Sequence, residues 1–185
     1  MRRGAVIILN GVGSVGKSST ARALQAITAE PFLHIALDAF IDMLPERMIG
    51  HSDGLTFDTN EVDGRPCVAI GSGPIVARAM RGMRRAVAAM AAQGNNLIVD
   101  EVMLSQDKAR DYRDLLSGFT LRLVGLFAPL EVLEERERAR GDRRAGLARW
   151  QFDRVHHGMT YDLEIDTRAR TPEACARLIC DSFSL

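Results

Sequence analysis

Short apolar runs recur along the chain, and each is followed by a segment whose apolar positions return every three or four residues. "AVIIL" (5–9) precedes a helical pattern over Lys17–Thr28, and "FLHIAL" (32–37) precedes one over Ala39–Leu44. "NLIVD" (96–100) leads into Gln106–Leu116, and "LRLVGLF" (121–127) into Leu130–Arg140. A fifth run, "YDLEID" (161–166), comes before "TPEACARLICDSF". There Thr171 is placed to cap a helix, and Pro172 takes the first helical position, which suits its fixed φ and missing N–H. Runs that are apolar throughout, rather than alternating, belong to strands buried on both faces. The pattern predicts an α/β fold with a five-stranded parallel sheet covered by helices on each side.

Two segments break the alternation. Residues 45–73 are rich in glycine, include two prolines and show no clear period; they predict a long loop of the kind that shapes a binding site. After them "PIVARAMRGMRRAVAAMAAQG" has helical spacing and stops at Gly94. "LARWQFDRVHHG" (147–158) reads as a further helix. No repeat, low-complexity tract or linker divides residues 1–185, so one domain is expected.

The 185 residues are 46% apolar and 26% charged, within the globular range. The formal net charge is zero, so no global field draws the protein to nucleic acid or anionic lipid. Cys67, Cys175 and Cys180 form no metal-spaced pair, and an odd count is poor material for a disulfide framework, which favours a reducing cytoplasm. The opening "MRRGAVIIL" has too short an apolar run for a secretory signal, and no stretch approaches the ~18 consecutive apolar residues of a membrane span. The partner expected is a small molecule, with a homo-oligomer left open and neither nucleic acid nor membrane involved.

Chemistry enters with "GVGSVGKS", Gly11 to Ser18, which fits G-x-x-x-x-G-K-[ST] after a strand and before a helix. Glycines there let backbone N–H groups of the loop, including those of Gly13, Ser14, Val15 and Gly16, turn toward phosphate oxygens, and the helix beginning at Lys17-Ser18-Ser19 adds its unpaired N–H groups and positive dipole end. Lys17 would reach the β and γ phosphates and the Ser18 hydroxyl would ligate Mg²⁺. The alternative is a glycine-rich turn that binds nothing. Arginine outnumbers lysine 22 to 2 in this chain, so a lysine at this position is informative.

Ligands of open parallel sheets bind beyond the carboxyl ends of the strands. Asp38 and Asp100 end two of the apolar runs, with Glu101 directly after the second. Asp100 suits a Mg²⁺ ligand, with Glu101 as competitor and turn capping as the bland reading. Asp38 suits a general base for an acceptor hydroxyl, or else an N-cap for "AFIDML". Arg136, Arg140 and Arg143 share a helical face if the helix continues past Gly141, as in a lid that brings guanidinium groups to a transferring phosphoryl. The competing picture is a solvated helix laced by pairs such as Glu134 with Arg138. His156-His157 read as surface or helix-end residues, His51-Ser52-Asp53 as a loop without triad geometry, and Met43, Met48, Met80, Met83 and Met103 as core or as an adaptable pocket lining.

Together, "IILNGVGSVGKSS", "LDAFIDMLP", "LIVDEV", "ERARGDRRAG" and "VHHGMTYDLEIDT" resemble the chloramphenicol phosphotransferase family, in the same order over residues 7–167. The resemblance implies a three-layer P-loop kinase fold similar to shikimate kinase, with ATP and Mg²⁺ as cofactors and phosphate transfer to a hydroxyl of chloramphenicol or a related compound. It implies Lys17 and Ser18 at the phosphates and metal, Asp38 as base, Arg140 and Arg143 as lid arginines, and Asp166-Thr167 in the loop that holds adenine. Rival readings are a kinase of another acceptor class (nucleoside, shikimate-like or nucleotide-sugar) and a slowly hydrolysing nucleotide switch. No N-K-x-D stretch for reading guanine is present.

Overall fold

The computed structural model describes residues 4–141 and 144–185. The described residues form seven strands and seven α-helices, which alternate except for one pair of successive strands and one pair of successive helices. The first half runs β1 (Ala5–Asn10), α1 (Lys17–Ile27), β2 (Phe32–Ala36), α2 (Leu37–Ile41), a 3₁₀ turn at Glu46–Met48, β3 (Leu55–Val62), β4 (Arg65–Ser72) and α3 (Pro74–Ala92). The second half runs β5 (Asn96–Glu101), α4 (Gln106–Leu115), β6 (Thr120–Phe127), α5 (Leu130–Arg140), α6 (Leu147–Val155), β7 (Leu163–Asp166) and α7 (Pro172–Phe183).

The main sheet has five parallel strands in the order β2-β5-β1-β6-β7. Alternation along each strand sends residues to two separate cores. Ile7, Leu9, Ile98, Val124 and Leu126 pack with α1, α5, α6 and α7 on one side. Val6, Ile8, Leu97, Val99 and Leu123 pack with α3 and α4 on the other. Both faces are dry, which is why these strands read as unbroken apolar runs. Thr171 caps α7 as expected, its hydroxyl accepting from Ala174 N at 3.3 Å.

The segment 45–73 departs from the expected loop. Most of it is the antiparallel β3–β4 hairpin, with Val62 opposite Arg65. The turn residues Asp63 and Gly64 have φ of 52° and 70°. Two positive φ values across an Asp-Gly pair match the twist of an antiparallel ribbon, so the local signal was present. The tip of the hairpin is exposed on both faces, which left no period-two pattern to read. The shorter α2 also starts two residues before the predicted Ala39, with Ala36 at its N-cap and no side-chain cap, so Asp38 sits inside the first turn and does not cap it.

Candidate active site

Strand β1 lies at the centre of the sheet, flanked by β5 and β6, so the loop after it opens into the crevice where ligands of such sheets bind. In the parallel register Asp100 stands beside both Leu9 of β1 and Ala36 of β2. That pairing brings the loop 11–18, the end of β5 and the start of α2 to one rim.

Gly16 adopts φ 101°, a left-handed conformation that a side chain would strain, and α1 begins with no side-chain cap. The first N–H groups of α1 therefore stay available to an anion. Lys17 Nζ donates to the carbonyls of Gly11 (2.9 Å) and Val12 (3.0 Å) and stands 3.9 Å from Asp100 Oδ1. Ser18 Oγ donates to Asp100 Oδ2 at 2.5 Å. The buried Ser14 hydroxyl oxygen, in the same loop, has no hydrogen-bond partner. The loop itself is pinned from two sides: Gly13 N donates to Gln151 Oε1 at 2.7 Å, and the Thr167 hydroxyl lies 3.0 Å from Val15 O and 3.1 Å from Phe127 O.

The two carboxylates at the end of β5 have opposite surroundings. Burial pushes Asp100 up, but His34, Lys17 and the Ser18 hydroxyl outweigh it and hold the carboxyl below its ordinary value. His34 Nε2 lies 3.8 Å from Asp100 and has no hydrogen-bond partner. Glu101 points to the other side of the sheet, where it accepts from Val102 N (3.0 Å) and the Tyr112 hydroxyl (3.3 Å). Its burial raises its pKa. An ionised carboxylate beside a serine hydroxyl is a donor set of hard oxygens, which Mg²⁺ requires; Asp100 with Ser18 meets that requirement and Glu101 stands apart from it.

Three spaces adjoin at this rim. A cleft of about 430 Å³ is lined by Ser14, Val15, Ser19, Arg136, Arg140 and Thr167, among others. Next to it, Lys17, Ser18, Asp38, Asp100 and Arg140 face a common narrow space. Asp38 also faces a third, apolar cavity of about 210 Å³. Arg140 borders both nucleotide-side spaces, and Asp38 links the phosphate loop to the apolar cavity.

The arginine segment divides. Helix α5 ends at Arg140, with Gly141 left-handed at φ 69°. Arg136 lines the large cleft, and its guanidinium donates to Thr167 Oγ1 (3.2 Å) and Thr167 O (2.8 Å), tying α5 to the loop after β7. Arg143 lies outside the described residues. Glu134 is buried and, in place of the expected Arg138 pair, meets Arg149 of α6 at 2.5 Å and Arg65 of the hairpin at 3.0 Å. Of the two predicted adenine-loop residues, Thr167 borders the large cleft; Asp166 is exposed, accepts from Arg168 N at 2.8 Å and is absent from the cleft wall. Gln151, His34 and Arg170 belong to the site's surroundings and were not singled out from sequence; nothing local marks them.

His156 is at the end of α6 but is not a surface residue: its ring stacks on Phe127 with centroids 3.8 Å apart. Burial drives its pKa down to about 4. Its Nδ1 lies 2.7 Å from the Tyr161 hydroxyl, which also accepts from Asn10 Nδ2 at 2.7 Å. Met83 and Met103 are core residues, Met80 borders the apolar cavity, and Met43 is exposed.

Comparisons with known proteins bear on the family and the fold. A Mycobacterium tuberculosis protein named "Putative O-phosphotransferase" is 33% identical over 188 residues, covering 99% of this chain and 84% of its own. Among solved structures, the M. tuberculosis APS kinase in complex with AMPPNP and APS superimposes with a TM-score of 0.70 at 16% identity, covering the whole of both chains. The Aquifex aeolicus shikimate kinase matches with a TM-score of 0.59 at 11% identity over 97% of this chain and 96% of its own. These place the fold among the P-loop kinases, and no described helix is long and apolar enough to cross a membrane. The family profile described as chloramphenicol phosphotransferase-like protein matches residues 4–184. The chain is a kinase-type phosphotransferase and belongs to the chloramphenicol phosphotransferase-like family.

Proposed function

We propose that the protein transfers the γ-phosphoryl group of ATP, with Mg²⁺, to a hydroxyl of chloramphenicol or a related small hydroxylated compound. The observation that carries this reading is the position of Asp38, which faces both the narrow space around Lys17 and Ser18 and the apolar cavity. A base must reach the acceptor hydroxyl while that oxygen stands in line with the γ phosphorus, and no other carboxylate among the described residues borders both spaces.

The backbone of the loop 11–18 and the first turn of α1 hold the phosphates, and the Ser14 hydroxyl, lacking a partner, is one more donor toward them. Lys17 turns from its carbonyl partners toward the β and γ oxygens. Ser18 and Asp100 would hold Mg²⁺, which when bound offsets charge on the β and γ phosphates. The acceptor hydroxyl oxygen forms a bond to the γ phosphorus as the bond to the β–γ bridging oxygen breaks. The electron pair leaves with ADP, and the hydroxyl proton passes to Asp38. Arg140, at the edge of both nucleotide-side spaces, is placed to stabilise charge on the transferring group.

The test is ADP release from ATP and Mg²⁺ with and without chloramphenicol, beside a Lys17→Ala protein. Chloramphenicol-dependent release that the variant loses supports the reading. Release from other hydroxylated compounds and none from chloramphenicol keeps the reaction and rejects that acceptor. ADP release that no acceptor stimulates rejects the kinase reading in favour of a nucleotide switch.

A further inference from the structure

The chain holds 22 arginines and two lysines. Lys17 faces the phosphate space, and the other lysine, Lys108, borders the adjoining apolar cavity. Lys108 lies in the first turn of α4. The rest of the cavity wall is dominated by Ile41, Phe57, Ile70, Val76, Met80 and Leu104. Asp38 is the one carboxylate among the described residues of that wall, and Lys108 the one cation.

The nearest structural duty for Lys108 is to balance buried Glu101, on which its charge acts. That duty is incomplete. Glu101 is already satisfied by Val102 N and the Tyr112 hydroxyl, and no described carboxylate stands within ion-pair distance of Lys108. Lys108 is half-buried at the edge of an apolar wall. Beside such a wall water screens less than in the open, so a cation there attracts an anion entering the cavity more strongly. A lysine, with a compact charge on a flexible stem, can follow such a group without the fixed fork of arginine.

Resting on the reading of this cavity as the acceptor site, we infer that the acceptor is an alcohol with an apolar body and one anionic group, and that Lys108 is the specificity-determining residue that receives that group. The alcohol meets Asp38, the apolar body fills the wall of Phe57, Ile70 and Met80, and the anion pairs with Lys108. An uncharged alcohol of the same shape is a weaker ligand.

The experiment measures binding by calorimetry and, separately, ADP release, using 4-(hydroxymethyl)benzoate and its uncharged methyl ester as probes. Wild-type protein is expected to bind the carboxylate about tenfold more tightly than the ester. In Lys108→Met the carboxylate loses about that factor while the ester and ATP bind as before, and Lys108→Arg restores part of the preference. Equal affinities in the wild type, a preference that survives in Lys108→Met, or binding of neither probe overturns the inference. If Lys108 serves only Glu101, Lys108→Met lowers the unfolding midpoint and leaves the probe ratio unchanged, which also overturns it. Failure of the kinase reading shows separately, as no acceptor-stimulated ADP release whatever the binding ratio.

Discussion

Asp38 is exposed at the rim yet belongs to two cavities, and the base role proposed for it depends on that position more than on any local feature. Replacing its carboxylate by an amide keeps size and polarity while removing the proton acceptor. Asp38→Asn is expected to lower kcat by about 10²- to 10⁴-fold while ATP affinity stays within about twofold, because general-base catalysis contributes that range and the phosphate cradle does not involve Asp38. Steady-state kinetics with a separate nucleotide-binding measurement checks both halves. Lys17, Ser18 and the glycines before them were legible in the sequence because the loop is local: eight consecutive residues specify its backbone and its charge. Asp100 over Glu101 was not, since only the pleat decides which carboxylate faces Ser18 and which faces Tyr112. Gln151 and Thr167 reach the same loop from 138 and 152 residues away, a separation that no window along the chain can span.

At the scale of elements, the hairpin and the segment after α5 are one connected assembly. Val68 N donates to Gly146 O at 3.0 Å, and buried Glu137 accepts from Gly146 N (2.7 Å) and Ala148 N (2.8 Å), serving the open N-terminus of α6. Arg144 lies over the Phe57 ring at 4.6 Å. Gly146 is at φ 103°, and a Cβ there would meet Pro66 O at 2.6 Å. Gly141 is also left-handed, but a Cβ there meets nothing within 4 Å. Gly141→Ala is therefore expected to cost about 1–2 kcal/mol from backbone strain alone, and Gly146→Ala clearly more, because backbone must also move. Urea unfolding of the two variants side by side reads the difference; equal losses would contradict a rigid junction. The helices and the five parallel strands were legible from their periods. The hairpin was hidden because its exposed tip has no buried face to impose alternation, although Asp63-Gly64 carried the turn signal.

The whole molecule is joined behind the phosphate loop by a small polar network. Asn10 donates to Val155 O (3.1 Å) and the Tyr161 hydroxyl, and its Oδ1 accepts from Met103 N (2.8 Å), linking β1, α6 and the loop after β5. His156 completes it as a neutral ring. Its folded pKa of about 4 lies below the ordinary 6.5, so between these values the unfolded chain takes up a proton that the folded protein refuses. Stability from this group is complete above about pH 6.5 and is lost progressively as pH falls toward about 4. His156→Phe, which keeps the stack on Phe127, is expected to flatten that part of the stability profile in thermal unfolding followed from pH 7 to pH 4. An unchanged slope would contradict the assignment. Sheet composition could be read from the sequence, but the order β2-β5-β1-β6-β7 could not, because an apolar run marks a strand and nothing along the chain says which neighbour it will choose.

In the mechanism proposed, the γ-phosphoryl group passes to an alcohol held beside Asp38. The most direct measurement follows radiolabelled γ-phosphate from ATP in the wild-type protein and in Asp38→Asn, with a hydroxylated acceptor present and absent. Label recovered in an organic phosphate only when wild-type protein and acceptor are combined is the predicted result. Label released as inorganic phosphate at the same rate with or without acceptor, in both proteins, would contradict the account.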